Sequence, residues 1–134
     1  MARRYSRVEE EDLRFLREVV GPENVSTKGW ELAVSSANAV GEIEGRAEAV
    51  VWPSNAEQVS KILAYCSRRG IPVTPRGSGS STSGNAAPVE GGVVLSTRRM
   101  RRIIEVSRED LLAVVQPGAV CEEMNSELRR VGLF

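Results

Sequence analysis

Apolar residues first recur at helical spacing, with Leu13, Leu16 and Val20 on one stripe ahead of Gly21 and Pro22. A helix is expected over residues 8–20, with Ser6 and Glu9 as a capping box. Residues 24–45 carry a mixed pattern rich in Ser, Gly and Asn, and are expected to be loop with one short helical turn. The rhythm then changes. Ala49, Val50, Val51 and Trp52 form a short apolar run closed by Pro53, which predicts a strand. Ser54 with Glu57 offers a second capping box, and Val59, Ile62, Leu63 and Cys66 share one helical face. Arg68, Arg69 and Gly70 supply the basic last turn and the stop of that helix.

Strands follow at residues 71–75 and 93–96, the second introduced by Gly91 and Gly92. The apolar runs 103–106 and 111–115 are separated by Ser107, Arg108, Glu109 and Asp110, a spacing suited to a hairpin. After Pro117 and Gly118 a last helix is expected, with Met124, Leu128 and Val131 as its stripe and Gly132 as its cap. The fold class is therefore α/β (α+β): a small parallel sheet flanked by helices, followed by the start of a second, incomplete sheet.

The chain has 134 residues, enough for one domain with a real core. Its 18 basic and 18 acidic residues cancel, which removes the general attraction that a nucleic-acid or anionic-membrane partner would use. No apolar run approaches the length of a transmembrane segment and no charged-then-apolar leader opens the chain, so a cytoplasmic protein is expected. Cys66 and Cys121 lack the close spacing of a zinc site or redox pair and read as buried free thiols. The sequence contains no histidine, which excludes a His general base, a His metal ligand and a histidyl cofactor link within this chain.

The segment that carries chemistry runs from Pro75 through Arg76, Gly77, Ser78, Gly79, Ser80, Ser81, Thr82, Ser83 and Gly84 to Asn85, directly after a strand. Glycines let the backbone take positive φ and let a phosphate approach without meeting a side chain, while hydroxyls add donors. Phosphate contact is expected chiefly from loop amides, with Arg76 either adding charge or pointing away. No Lys follows the glycines, so this is not a Walker loop, and Thr82 stands where a dinucleotide GxGxxG needs its third Gly. By composition alone, such a loop is more often a flexible connector without a ligand.

The ordered runs AVVWPSNAEQVSKIL, GIPVTPRGSGSSTSG, GGVVLSTRRMRRIIEV and AVVQPGAVCEEMNSEL together resemble one family. They are similar to FAD-binding domains of the vanillyl-alcohol oxidase and p-cresol methylhydroxylase (PCMH-type) superfamily, in its glycolate oxidase and D-lactate dehydrogenase branch. The resemblance covers about residues 25–134 and matches the N-terminal portion of that domain. It implies that the loop at Pro75, Arg76, Gly77, Ser78, Gly79, Ser80, Ser81, Gly84 and Asn85 wraps the FAD pyrophosphate, and that Pro117 and Gly118 approach the flavin. Ser80 replaces the family's usual Thr and keeps its hydroxyl. Ser35 and Asn38 stand where a Tyr and an Asp are common. FAD is expected to be noncovalent, since the loop has no His for a flavin link.

The same resemblance implies three regions: helix and loop over 1–45, a first FAD subdomain over 46–97, and the start of a second over 98–134, with the substrate cap absent. The implied function is the FAD-binding portion of an FAD-linked oxidoreductase of 2-hydroxy acids, inactive by itself. No catalytic residue is expected in this chain. The alternative is a non-catalytic truncated module that binds FAD weakly or not at all, and that forms a homodimer or joins a partner chain through open strand edges. Arg98, Arg99, Arg101 and Arg102 are read as a solvated turn. Trp52 remains a weak candidate for adenine stacking, and Trp30, Glu122 and Glu123 are assigned no role.

Overall fold

The computed structural model describes residues 4–37, 39, 41 and 43–134. Helix α1 (Glu10–Val20) starts later than expected, and Asp12 rather than Ser6 takes the capping role, its carboxylate accepting the Glu9 N–H at 2.8 Å. The Ser6 N–H instead donates to the carbonyl of Gly70 at 3.0 Å, which ties the N-terminal segment to a distant turn. Leu16 and Val20 are buried, as the apolar stripe requires.

The stretch expected to be loop holds more structure than its composition suggests. A 3₁₀ turn (Pro22–Asn24) leads into strand β1 (Val25–Ser26) and helix α2 (Gly29–Ser36). Helix α2 buries none of its residues, so it lacks the apolar stripe that would have made it legible. Strand β1 is two residues long and exists by pairing antiparallel with strand β2 (Ala49–Val51). Asn38, one of the two positions of interest upstream of β2, lies outside the described residues.

Helix α3 (Ala56–Arg69) is capped one residue later than expected: Asn55 accepts the Gln58 N–H at 2.9 Å and Gln58 accepts the Ser54 N–H at 2.8 Å. Glu57 pairs instead with Lys61 at 2.6 Å. Leu63, expected on the packed face, is exposed. The face is rotated because Tyr65 stacks on Phe15 with ring centroids 3.9 Å apart, which brings Tyr65 rather than Leu63 onto α1. Gly70 ends the helix in the left-handed region at φ 67°, where a side chain would be strained.

Strand β3 (Val73–Arg76) begins and ends slightly later than the expected 71–75, and β4 (Val93–Ser96) matches. Among the described residues the main sheet has the order β1-β2-β4-β3, with β4 parallel to both neighbours and β1 as an antiparallel edge that the all-parallel expectation lacked. Ala49, Val51, Val93 and Leu95 join Leu16, Val20, Ile62, Cys66 and Ile71 in the core beneath α1 and α3. Val50 and Val94, on the opposite face, are also fully buried, which explains why these strands read as continuous apolar runs.

A 3₁₀ turn (Thr97–Arg99) follows, then strands β5 (Ile103–Ser107) and β6 (Leu112–Val115) and helix α4 (Cys121–Arg129). The two strands pair antiparallel as a separate hairpin. Leu111, expected in the strand, sits in the turn at φ 53°. Leu128 is buried and Met124 half-buried, but Val131 lies past the helix end and is exposed. Gly132 has φ 77° and Leu133 donates back to the Leu128 carbonyl at 3.0 Å, so the chain does turn there. Cys66 is buried as expected; Cys121 is exposed, because the start of α4 borders an open cleft.

Candidate functional site

Strand β3 delivers its last residue, Arg76, to the end of the sheet, and the glycine and serine loop follows immediately. Gly79 and Gly84 take φ of 79° and 72°, the left-handed conformations that only glycine adopts without strain. Gly84 is also packed, since a Cβ there would overlap the Ile43 side chain. Gly77 has open space where a Cβ would stand. The hydroxyls pair along the loop, Ser78 with Ser80 and Ser81 with Ser83, each at 2.9 Å between oxygens.

The Arg76 side chain turns back into the protein. Its guanidinium donates to the carbonyls of Ala37 at 2.7 Å, Ala86 at 3.3 Å and Val34 at 3.3 Å. Two of these carbonyls belong to the C-terminal end of α2, where a cation complements the helix dipole. Burial, with the charge of Arg98 nearby, lowers the pKa of Arg76 from its ordinary value. A positive charge is present next to the loop, but it is spent on main-chain oxygens.

Pro117 and Gly118 approach the loop from the far side. The Gly118 N–H donates to the Met100 carbonyl at 2.8 Å, and the Thr97 hydroxyl donates to the Pro117 carbonyl at 3.2 Å. A Cβ on Gly118 would overlap the backbone oxygen of Thr97. The need for glycine at 118 is thus already met by contact with the chain's own backbone.

A cleft of about 540 Å³ opens between the two segments, with Gly77, Ser78 and Ser80 on one side and Pro117, Gly118 and the start of α4 on the other. Arg98, Arg101 and Glu122 also border it. Helix α4 has no side-chain cap, and its start, from Val120 to Glu122, lines this cleft. Of the residues expected to contact a cofactor, Gly77, Ser78, Ser80, Pro117 and Gly118 come together here. Pro75, Arg76, Gly79, Ser81, Gly84 and Asn85 do not border the cleft; Gly79 and Gly84 shape the loop from behind. A smaller recess of about 190 Å³ adjoins it, bordered by Trp30, Trp52, Ser35, Arg76 and Arg98 among others.

The place of the arginine-rich turn at the site is the feature the sequence reading missed. All four arginines are exposed, as a solvated turn requires, and within it Arg99 donates to the Asn24 side chain while Arg101 pairs with Glu123. Arg98 borders both the cleft and the recess. The signal was its position directly after β4, the strand that lies beside β3 in the sheet.

Fold and cleft together define an α/β domain with a glycine and serine loop suited to an anionic group. Residues 47–134 match the model of the family described as FAD binding domain. The chain belongs to this family, within the PCMH-type superfamily, and FAD is the cofactor that goes with it. It is 38% identical over 119 residues to glycolate oxidase subunit GlcD of Bacillus subtilis, covering 89% of this chain and 25% of that protein. It is 40% identical over 84 residues to D-lactate dehydrogenase of Archaeoglobus fulgidus, covering 63% of this chain and 19% of that protein. The structure of p-cresol methylhydroxylase with substrate bound superposes with a TM-score of 0.75 at 25% identity, covering 92% of this chain and 25% of that one. Alkyldihydroxyacetonephosphate synthase shares the fold, with a TM-score of 0.79 at 21% identity over 96% of this chain and 28% of that one. The chain thus spans about a quarter of the length of these relatives.

Among the described residues, no helix is long and apolar enough to cross a membrane.

Proposed function

We propose that this chain is the pyrophosphate-holding part of an FAD-linked oxidoreductase that acts on 2-hydroxy acids of the glycolate or D-lactate type. One observation carries the reading: Gly77, Ser78 and Ser80 face Pro117, Gly118 and the uncapped start of α4 across a single cleft. That donor set suits a diphosphate. The Ser78 and Ser80 hydroxyls and the uncapped start of α4 border the same space, and no side chain at Gly77 blocks approach. The named activities of the bacterial and archaeal relatives support the substrate class.

When bound, FAD supplies the hydride acceptor for oxidation of an alcohol carbon. The chain's own share is to bind and orient. Gly77, Ser78, Ser80 and the start of α4 would hold the cofactor, Pro117 and Gly118 would let it pass close to the backbone, and Gly79 and Gly84 set the loop's path. Residues 46–97 make up the first FAD subdomain and residues 98–134 open the second.

A second reading has its own support. The β5–β6 hairpin stands as a two-stranded sheet, and Ile104, Leu111 and Leu112 are exposed on it, as is Phe134 beyond α4. A two-stranded hairpin with apolar residues in water is marginal by itself, so a second copy or a partner chain would stabilise it. In that reading the chain is an assembly module in which FAD binding is weak or lost.

Titration of the purified chain with FAD, following flavin fluorescence and thermal midpoint together, tests the proposal. Saturable binding that raises the midpoint and is lost in Gly79→Val supports a cofactor-holding domain. No binding at near-millimolar FAD removes that reading, and sedimentation then reports whether the chain assembles.

A further inference from the structure

Arg76 and Arg98 stand close enough to the same loop to affect one another, yet their surroundings are opposite. Arg76 uses its guanidinium on three main-chain carbonyls, those of Val34, Ala37 and Ala86. It also fills the space that a Cβ on Gly79 would need. Arg98 is exposed, has no hydrogen-bond or ion-pair partner among the described residues, and borders both the cleft and the adjoining recess. Arg101, three residues along the chain and also bordering the cleft, is already paired with Glu123. Glu122 borders the cleft and Glu31 the recess, so an unpaired cation there offsets carboxylates that would disfavour an anion.

The backbone that carries Arg98 is fixed. Thr97 and Met100 are held against Pro117 and Gly118 by hydrogen bonds of 3.2 and 2.8 Å. A long side chain leaving that turn therefore starts from a defined point between the glycine loop and the start of α4. A guanidinium there can meet a phosphate in bidentate fashion, an interaction stronger than a neutral donor makes.

We infer that Arg98 supplies the positive charge that meets the FAD pyrophosphate in this chain, and that Arg76 is a positioning residue that holds the loop without touching the cofactor. The assignment rests on the FAD reading of the cleft and adds to it which cation acts as ligand. It divides two arginines that composition treats alike: one shapes the loop through the C-terminal end of α2, the other faces the ligand.

The experiment compares the whole chain with Arg98→Gln and Arg76→Gln, measuring FAD affinity by fluorescence at low salt and at roughly 0.3 M salt, where exposed charges are largely screened. Thermal midpoints are measured without ligand. Arg98→Gln is expected to keep its midpoint, to bind FAD about tenfold more weakly at low salt, and to lose most of the salt dependence. Arg76→Gln is expected to lower the ligand-free midpoint. The assignment is overturned if Arg98→Gln binds FAD as the unmodified chain does with the same salt dependence. It is equally overturned if Arg76→Gln leaves the midpoint alone and abolishes the salt dependence. If the unmodified chain binds no FAD at either salt concentration, the cleft reading itself fails and the role of Arg98 falls with it.

Discussion

The guanidinium of Arg76 occupies the place where a Cβ on Gly79 would stand. The two residues therefore define each other: the strand's last side chain folds under the loop, and the loop can pass over it only as glycine. Replacing Gly79 by Val sets a side chain against Arg76 and asks a β-branched residue to hold φ near 79°. The cost should be about 1–3 kcal/mol, read as a lower thermal midpoint, together with loss of FAD binding. A variant with unchanged midpoint and affinity would show that the loop adapts freely.

Gly118 is predicted to tolerate substitution no better. Its Cβ would overlap the backbone oxygen of Thr97, and a backbone oxygen cannot rotate away as a side chain can. Gly118→Ala should destabilise by about 1–3 kcal/mol and raise hydrogen exchange at the Met100 carbonyl's partner, the residue 118 amide. Exchange protection equal to that of the unmodified chain would contradict this packing.

Asp12 gives the fold a defined acid sensitivity. Burial by itself would raise its carboxyl, but hydrogen bonds from Arg69, the Glu9 N–H and Tyr65, with the Arg69 charge, hold it below its ordinary value of 3.8. The Tyr65 hydroxyl is correspondingly pushed up to about 12 by burial and by the Asp12 carboxylate. A carboxyl lowered on folding stabilises the native state above its unfolded pKa, and that stabilisation is lost as pH falls through the lower folded value. Asp12→Ala leaves Tyr65 and Arg69 without their shared acceptor and should cost about 1–3 kcal/mol at neutral pH. The difference from the unmodified chain should shrink in acid unfolding below pH about 4; a constant difference would remove Asp12 as the cause.

The two cysteines should react at very different rates. Cys66 is buried, and burial with the Asp12 charge raises its thiol to about 11. Cys121 is exposed at the rim of the cleft. A thiol-specific maleimide should label Cys121 in the folded chain and Cys66 only after unfolding. If the cleft holds FAD, saturating FAD should slow labelling of Cys121. Equal rates with and without FAD, under conditions where FAD binds, would place the cofactor elsewhere.

The pattern along the chain was sufficient for elements whose own residues carry the signal. Helices α1, α3 and α4 announce themselves through apolar stripes, and β2 and β4 through unbroken apolar runs that both sheet faces bury. The glycine and serine loop was likewise legible as a candidate segment, because glycine permits conformations that others do not, whereas the Pro117 and Gly118 turn was a candidate only through the family resemblance. Helix α2 and strand β1 were not legible, since the first buries nothing and the second is made by its partner strand.

What the sequence by itself determined is the α/β class, most of its elements and the glycine and serine loop as a candidate anion site. These follow from local physics, namely side-chain periodicity and the freedom of glycine. Only the tertiary structure decided that Arg76 is bound to α2 while Arg98 faces the cleft, that Gly118 is required by Thr97, and that Tyr65 displaces Leu63 from the packed face. Each of those outcomes depends on which distant backbone or ring occupies the space beside a residue, and residue spacing along one segment carries no record of that.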